Sequence, residues 1–338
     1  MNAIDSTIQR LETVLAPDPR GVCFALDVAV EANTTSVSGR VENEHTRRAV
    51  VRAVDRCPGA DDVEIDIETL AATKKRLTTC AAAAPVRAEP SADAEQVTQV
   101  LYGSEIEAYD RRAGFNRVRT PSGYLGWLAR EHLSEPGATP KWQPNAVLST
   151  TESGVIMDSN QPDCAPDVFF PGTPCRVENM GEQRIEVSFL PGSSATFSNE
   201  SVVRLPSNQP TNTADIGSDI LETAEQFHGT PYVWGGLTLE GVDCSGLVWI
   251  AYRCAGMTLP RDSDQQATVG LSVEDESYNA GDLLCFPGHI AISCGGQAFI
   301  HASGSAGTVC RGSLDPAVDT YEPALQDSMT DARRLTGG

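Results

Sequence analysis

The chain has 338 residues, 40% of them hydrophobic, enough to bury a core in each of about two or three domains. Its formal net charge of -21 leaves no broad basic surface to neutralise phosphates, which argues against nucleic acid or anionic lipid as a partner. No stretch is long and apolar enough to span a bilayer, and the start MNAIDSTIQRLETVL lacks the basic, apolar and small-residue parts of a signal peptide, so a cytoplasmic location is expected.

Residues 1–76 read as a small α+β unit: a helix from Ile4 to Leu15, β runs VCFALDVAVEA and TTSVSGRV, the helix NEHTRRAVVRAVDR and a last strand, DDVEIDIETL. From SVSGRV onward the order of strand, helix, Gly-containing turn and strand resembles the BON family, which implies association with envelope components or other proteins. An inert appendage is the competing expectation. Residues 77–138 change to short β runs separated by turns. Here VRAEPS, QVLYGSEIEAY and SGYLGWL, where a Ser122-Gly123 turn leads into a strand with Tyr124 and Trp127, resemble a bacterial SH3 module. Residues 139–206 repeat that layout, most visibly in FFPGTPCRVENMGEQRIEVSFLPGSSATFSNESVVRL, so two SH3-like β-barrels in tandem are expected. SNQPTNTADIGSD is a polar linker opening the last unit, 207–338. The ten cysteines are scattered rather than packed into a short scaffold, and free thiols are expected even at Cys164 and Cys175, which are close enough in sequence to pair in an exported protein.

In the last unit ILETAEQFHG predicts a helix stopped by Gly229, and LEGVDCSGLVWIAYRCAG predicts a second from Cys244 to Ala255, capped by Asp243 and stopped by Gly256. Cys244 thus starts a helix, where the partial positive charge favours the thiolate and Gly246 leaves room for a substrate. Taken alone, a cysteine in that place is more often a small buried apolar residue. Two of the chain's five histidines alter the balance: His289 and His301 lie on FPGHIAISCGGQAFIHAS, two alternating strands around a Gly-Gly turn. They share a face only across an odd-length loop such as Gly295-Gly296-Gln297, and are then diagonal neighbours, one able to take the thiol proton and the other to orient it. Cys285, His289, Cys294 and His301 are zinc-ligand types, but strand alternation separates His289 from Cys294, so no metal and no other cofactor is expected. Trp127 and Trp234 are read as packing a core or lining a cleft.

GTPYVWGG, DCSG followed by a helix, LPRDSDQQ, GDLLCF, GHIAI and IHAS occur in that order from residue 221 to about 311 and resemble the NlpC/P60 family of cysteine peptidases. The resemblance implies an α+β multidomain chain, with a papain-like catalytic domain behind two SH3-like barrels and the small N-terminal unit. It implies Cys244 as nucleophile, His289 as general base, His301 as the orienting third member, and Tyr232 with the backbone N–H of Cys244 at the oxyanion site. Family members with two bacterial SH3 domains typically cut between γ-D-glutamate and the next diamino acid of cell-wall peptides that carry a free amino-terminal L-alanine. By that resemblance Asp262, Glu89 and Tyr124 meet the alanine ammonium and Ser245 and Ser263 hold the glutamate α-carboxylate, with Trp234 and Arg261 in the same substrate-binding set. The implied partner is a murein peptide such as L-Ala-γ-D-Glu-meso-diaminopimelate, or its lysine counterpart. The competing readings are a broader papain-like amidase or acyltransferase, which the Asp262 segment weighs against, and an inert wall-binding scaffold, which the intact Cys244, His289 and His301 weigh against.

Overall fold

The structure is a computed structural model that describes residues 3–31, 34–58, 63–135, 143–153, 166–189, 193–204, 216–274 and 277–335. At the amino end Phe24–Glu31 pairs antiparallel with Thr34–Val41, which runs parallel to Val63–Thr69. A parallel pair needs a crossover, and the helix Glu44–Val54 supplies it. Asn43 caps that helix by accepting from the Thr46 N–H at 3.1 Å. Val37, Val41, Val50 and Val54 meet Ile4 and Ile8 of the first helix, Ala3–Leu15, in one core.

The first barrel joins seven strands in the order Leu133–Ser134, Lys75–Thr79, Glu105–Arg112, Phe115–Arg119, Leu125–Ala129, Ala83–Arg87, Gln96–Leu101. The second SH3-like module is built on five, in the order Ser194–Ser198, Arg184–Ser188, Pro174–Met180, Ala146–Leu148, Val202–Arg204. Phe169 and Phe189 stack in its core with ring centroids 4.9 Å apart. Cys175 is buried there as a free thiol, but Cys80 in the same core is disulfide-bonded, contrary to the expectation that the cysteines are reduced. Cys164 lies outside the described residues, as does most of the linker; the helix after it starts at Ile216, earlier than the ILETAEQ run indicated.

In the last unit six antiparallel strands lie in the order Leu271–Ser272, Asp331–Arg334, Ala280–Phe286, His289–Gly295, Ala298–Ser303, Thr308–Ser313. Against them pack the helices Ile216–Gln226 and Cys244–Cys254. Ten of the eleven residues in Cys244–Cys254 are buried, and a helix apolar on every side must be covered on every side. The barrels complete the cover, with Leu101 and Phe170 in the same core. Polar contacts fix their docking: Arg253 Nε donates to the Gly172 carbonyl at 2.7 Å, the Leu237 N–H to Gln99 Oε1 at 2.8 Å, and Gln96 Nε2 to the Trp234 carbonyl at 3.0 Å.

Two turns set the histidines. Phe286 pairs with His289 across Pro287-Gly288, with Gly288 at φ +69°, a conformation that glycine adopts without strain, so His289 opens its strand. Further along, Ile292 faces Ile300 and Ser293 faces Phe299, but Gly295 faces Ala298. Cys294 is therefore an extra residue, a bulge before a two-residue turn at Gly296-Gln297. The two histidines share a face as expected, but the bulge supplies the odd count, not a three-residue loop.

Candidate functional site

Asp243 is the N-cap of the helix that starts at Cys244, accepting from the Gly246 N–H at 2.6 Å. Its carboxylate also takes the Gly235 N–H at 2.7 Å and both terminal nitrogens of Arg261, at 3.0 and 2.8 Å. Arg261 is 1% exposed and spends its remaining donors on Ser245 Oγ, the Gly236 carbonyl and Thr98 Oγ1 of the first barrel, the last at 2.9 Å. It therefore braces the cysteine loop from beneath, which corrects its expected place among substrate contacts. Ser245 lines the cleft beside Cys244, and its hydroxyl lies 3.3 Å from Asp243 Oδ1 while accepting from Arg261 Nη1 at 2.8 Å.

Cys244 is 6% exposed. Burial, then the Asp243 charge, push its thiol up to about 11, outweighing the N–H groups of Ile290 and Ser245 and the charge of Arg261, which favour the thiolate. The helix start alone therefore does not ionise it, as the sequence had suggested. Tyr232 is held up to about 12, by burial first and then by the neighbouring Cys244 and Asp243, so its hydroxyl stays a donor at neutral pH.

His289 Nε2 lies 2.8 Å from His301 Nδ1. Burial lowers His289 to about 4, and burial with the neighbouring ring lowers His301 to about 3, so both are neutral near pH 7. The far side of His301 meets two residues that no local pattern marked: Cys310 Sγ is within hydrogen-bond reach of its Nε2 at 3.5 Å, and Glu322 Oε1 lies 3.0 Å from the same nitrogen. Gly312 makes the room, since a Cβ there would lie 2.4 Å from that oxygen. In the tautomer where His301 Nδ1 accepts from His289 Nε2–H, the lone pair of His289 sits on Nδ1.

Cys244 opens onto a cleft of about 310 Å³. Ser245, Asp262, Ser263, Tyr124 and Trp234 line it, and Trp234 is 60% exposed. Asp262 stands at the N-cap position of the short helix Ser263–Gln266 but makes no capping bond with its side chain. Its charge, after burial, helps to hold the Tyr124 phenol up to about 12. The acid that the first barrel contributes to the cleft is Glu95, not Glu89. Glu89 is exposed on the turn between Ala83–Arg87 and Gln96–Leu101, whereas Glu95 adjoins the returning strand next to the cleft wall. Arg20, from the N-terminal unit, lines the cleft too.

A cysteine at the start of a buried helix, facing an antiparallel sheet that carries a hydrogen-bonded histidine pair, defines a papain-like α+β hydrolase. Residues 229–334 match the NlpC/P60 family and residues 82–134 a bacterial SH3 domain. The chain is 28% identical over 236 residues to the "Gamma-D-glutamyl-L-lysine dipeptidyl-peptidase" of Bacillus subtilis (strain 168), covering 61% of this chain and 71% of that one. It is 36% identical over 118 residues to "Probable endopeptidase NlpC" of Escherichia coli (strain K12), covering 32% of this chain and 76% of that one. The crystal structure of an NlpC/P60 family protein from Bacillus cereus ATCC 10987 shares the fold, with a TM-score of 0.65 and 20% identity over 78% of this chain and 100% of that one. The chain belongs to the NlpC/P60 family and is a peptidase, its catalytic domain preceded by SH3-like modules.

Proposed function

We propose that the chain is an endopeptidase of cell-wall peptides that cuts between γ-D-glutamate and the following diamino acid when the amino-terminal L-alanine is free. The observation that carries this reading is the shared cleft, which Cys244 lines together with the acidic and phenolic side chains of Asp262, Glu95 and Tyr124. Carboxylates and a phenol suit an ammonium, and Ser263 can donate to the glutamate α-carboxylate.

In this reading His289 Nδ1 takes the Cys244 proton as the sulfur attacks the glutamyl carbonyl carbon. Tyr232 and the Cys244 N–H donate to the oxyanion. The C–N bond breaks, the diamino acid leaves with the proton from His289, and water then hydrolyses the thioester. His301, with the Glu322 carboxylate against its far nitrogen, holds His289 in the tautomer that can accept. The cytoplasmic setting read from the sequence would make the substrates released peptides; the Cys80 disulfide speaks against that setting, and thiol labelling of the native protein with and without reductant tests it.

Incubation with L-Ala-γ-D-Glu-meso-diaminopimelate should release L-Ala-γ-D-Glu, seen by mass spectrometry, and Cys244→Ala should abolish it. No product from the wild type, or equal turnover of the amino-acetylated peptide, overturns the reading.

A further inference from the structure

The N-terminal unit sends one side chain into the cleft. Between its first helix and first strand, Arg20 reaches the catalytic domain with every N–H committed. Its Nε donates to Asp18 Oδ1 at 2.9 Å, Nη1 to Asp262 Oδ2 and Asp264 Oδ1, both at 2.8 Å, and Nη2 to Asp264 Oδ2 at 2.7 Å and Asp18 Oδ2 at 2.8 Å. Five donors meet three carboxylates, and none is left for a substrate.

The surroundings hold this arrangement from three domains. The Arg20 carbonyl accepts from the Leu125 N–H at 2.6 Å, beside Tyr124 on the first barrel. Asp18 accepts from Gln265 Nε2 of the catalytic domain at 2.5 Å. Arg20 therefore forms a wall where all three units meet and does not hang free in the cleft. Asp262 gives it only Oδ2, and Oδ1 accepts no hydrogen bond among the described residues. Asp18, Asp262 and Asp264 against one guanidinium leave the junction anionic, so it still attracts a cation.

We propose that Arg20 is the positioning and specificity residue of the amine subsite: it turns Asp262 Oδ1 toward the incoming ammonium and closes the cleft beyond it. The N-terminal unit, through this one residue, then rejects peptides extended on the amino side of alanine. This rests on the amine-recognition reading above. The guanidinium is a planar fork, and a lysine ammonium cannot span three carboxylates in the same way.

The test is steady-state kinetics of wild type, Arg20→Gln and Arg20→Lys on L-Ala-γ-D-Glu-meso-diaminopimelate and on the same peptide extended by an amino-terminal glycine. For Arg20→Gln, KM on the first peptide should rise ~10-fold, the scale of one lost charge-assisted contact, with kcat within about twofold, and the extended peptide should become a substrate. Arg20→Lys should follow Arg20→Gln. If Arg20→Gln does not melt cooperatively, Asp18→Asn, which loosens Arg20 within its own loop, should show the same pattern at smaller amplitude. Unchanged KM with continued rejection of the extended peptide overturns the inference. So does full rescue by lysine. A lower KM in Arg20→Gln overturns it as well, by showing that the guanidinium competes with the ammonium. Wild type inactive on the first peptide, or equally active on both, instead removes the proposed function and the inference with it.

Discussion

Arg261 grips Asp243 through two hydrogen bonds, 2.8 and 3.0 Å long, directly beneath the turn that presents Cys244. Both residues are buried, so removing either partner strands a charge. Arg261→Met should lower unfolding stability by about 3–5 kcal/mol in urea titration, the usual cost of an unpaired buried carboxylate. Asp243→Asn in the same chain should return part of that loss because no lone charge remains. Wild-type stability in the single variant would show that the pair does not hold the loop.

Glu322 should act on rate through His301. Glu322→Ala should lower kcat roughly tenfold with little change in KM, because His301 loses the carboxylate 3.0 Å from its far nitrogen. Glu322→Gln retains an acceptor oxygen and should recover most of the rate. Gly312→Ala, whose new methyl would meet both Glu322 and the Phe299 ring at 2.4 Å, should reproduce the kcat loss and also lower the melting temperature. Equal rates in Glu322→Ala and wild type would remove Glu322 from the proton network.

The Cys244 thiol, pushed up to about 11, should be protonated at rest. Iodoacetamide labelling at Cys244, followed by peptide mass spectrometry, should quicken by about tenfold per pH unit from pH 7 toward pH 10, as the thiolate fraction grows. A rate that levels below pH 8 would mean a thiolate already formed against His289.

Acid should weaken the folded chain through the histidines. They titrate near 6.5 when unfolded but at about 4 (His289) and about 3 (His301) when folded, so between pH 6.5 and 4 the unfolded state binds more protons. This contribution to stability is complete above pH 6.5, shrinks as pH falls, and levels once pH passes the folded values. His301→Asn should flatten the fall in melting temperature between pH 6.5 and 4; an unchanged slope would refute this source.

What the sequence made legible was local. Asp243, the apolar run after it and Gly256 mark the Cys244 helix within a few residues, because capping and the αL stop are short-range chemistry. The histidine face was legible by parity, although the bulge that produces it was not. Arg20 meets Asp262 across 242 positions of sequence, and nothing near either residue announces the other. Glu89 and Glu95 flank one turn, and only strand pairing decides which of them reaches the cleft. The thiolate expectation failed for the same reason: the helix start was visible, but burial depends on what packs over it.

The extra residue at Cys294 gives the hairpin a spare position at its tip. Deleting Cys294 alone would remove the bulge and leave Ser293 opposite Phe299 and Gly295 opposite Ala298, with His289 and His301 still on one face. The catalytic face is therefore held by the ladder beyond the bulge and not by the length of chain between the two histidines, and a single-codon deletion at the tip would shorten the turn while sparing the site.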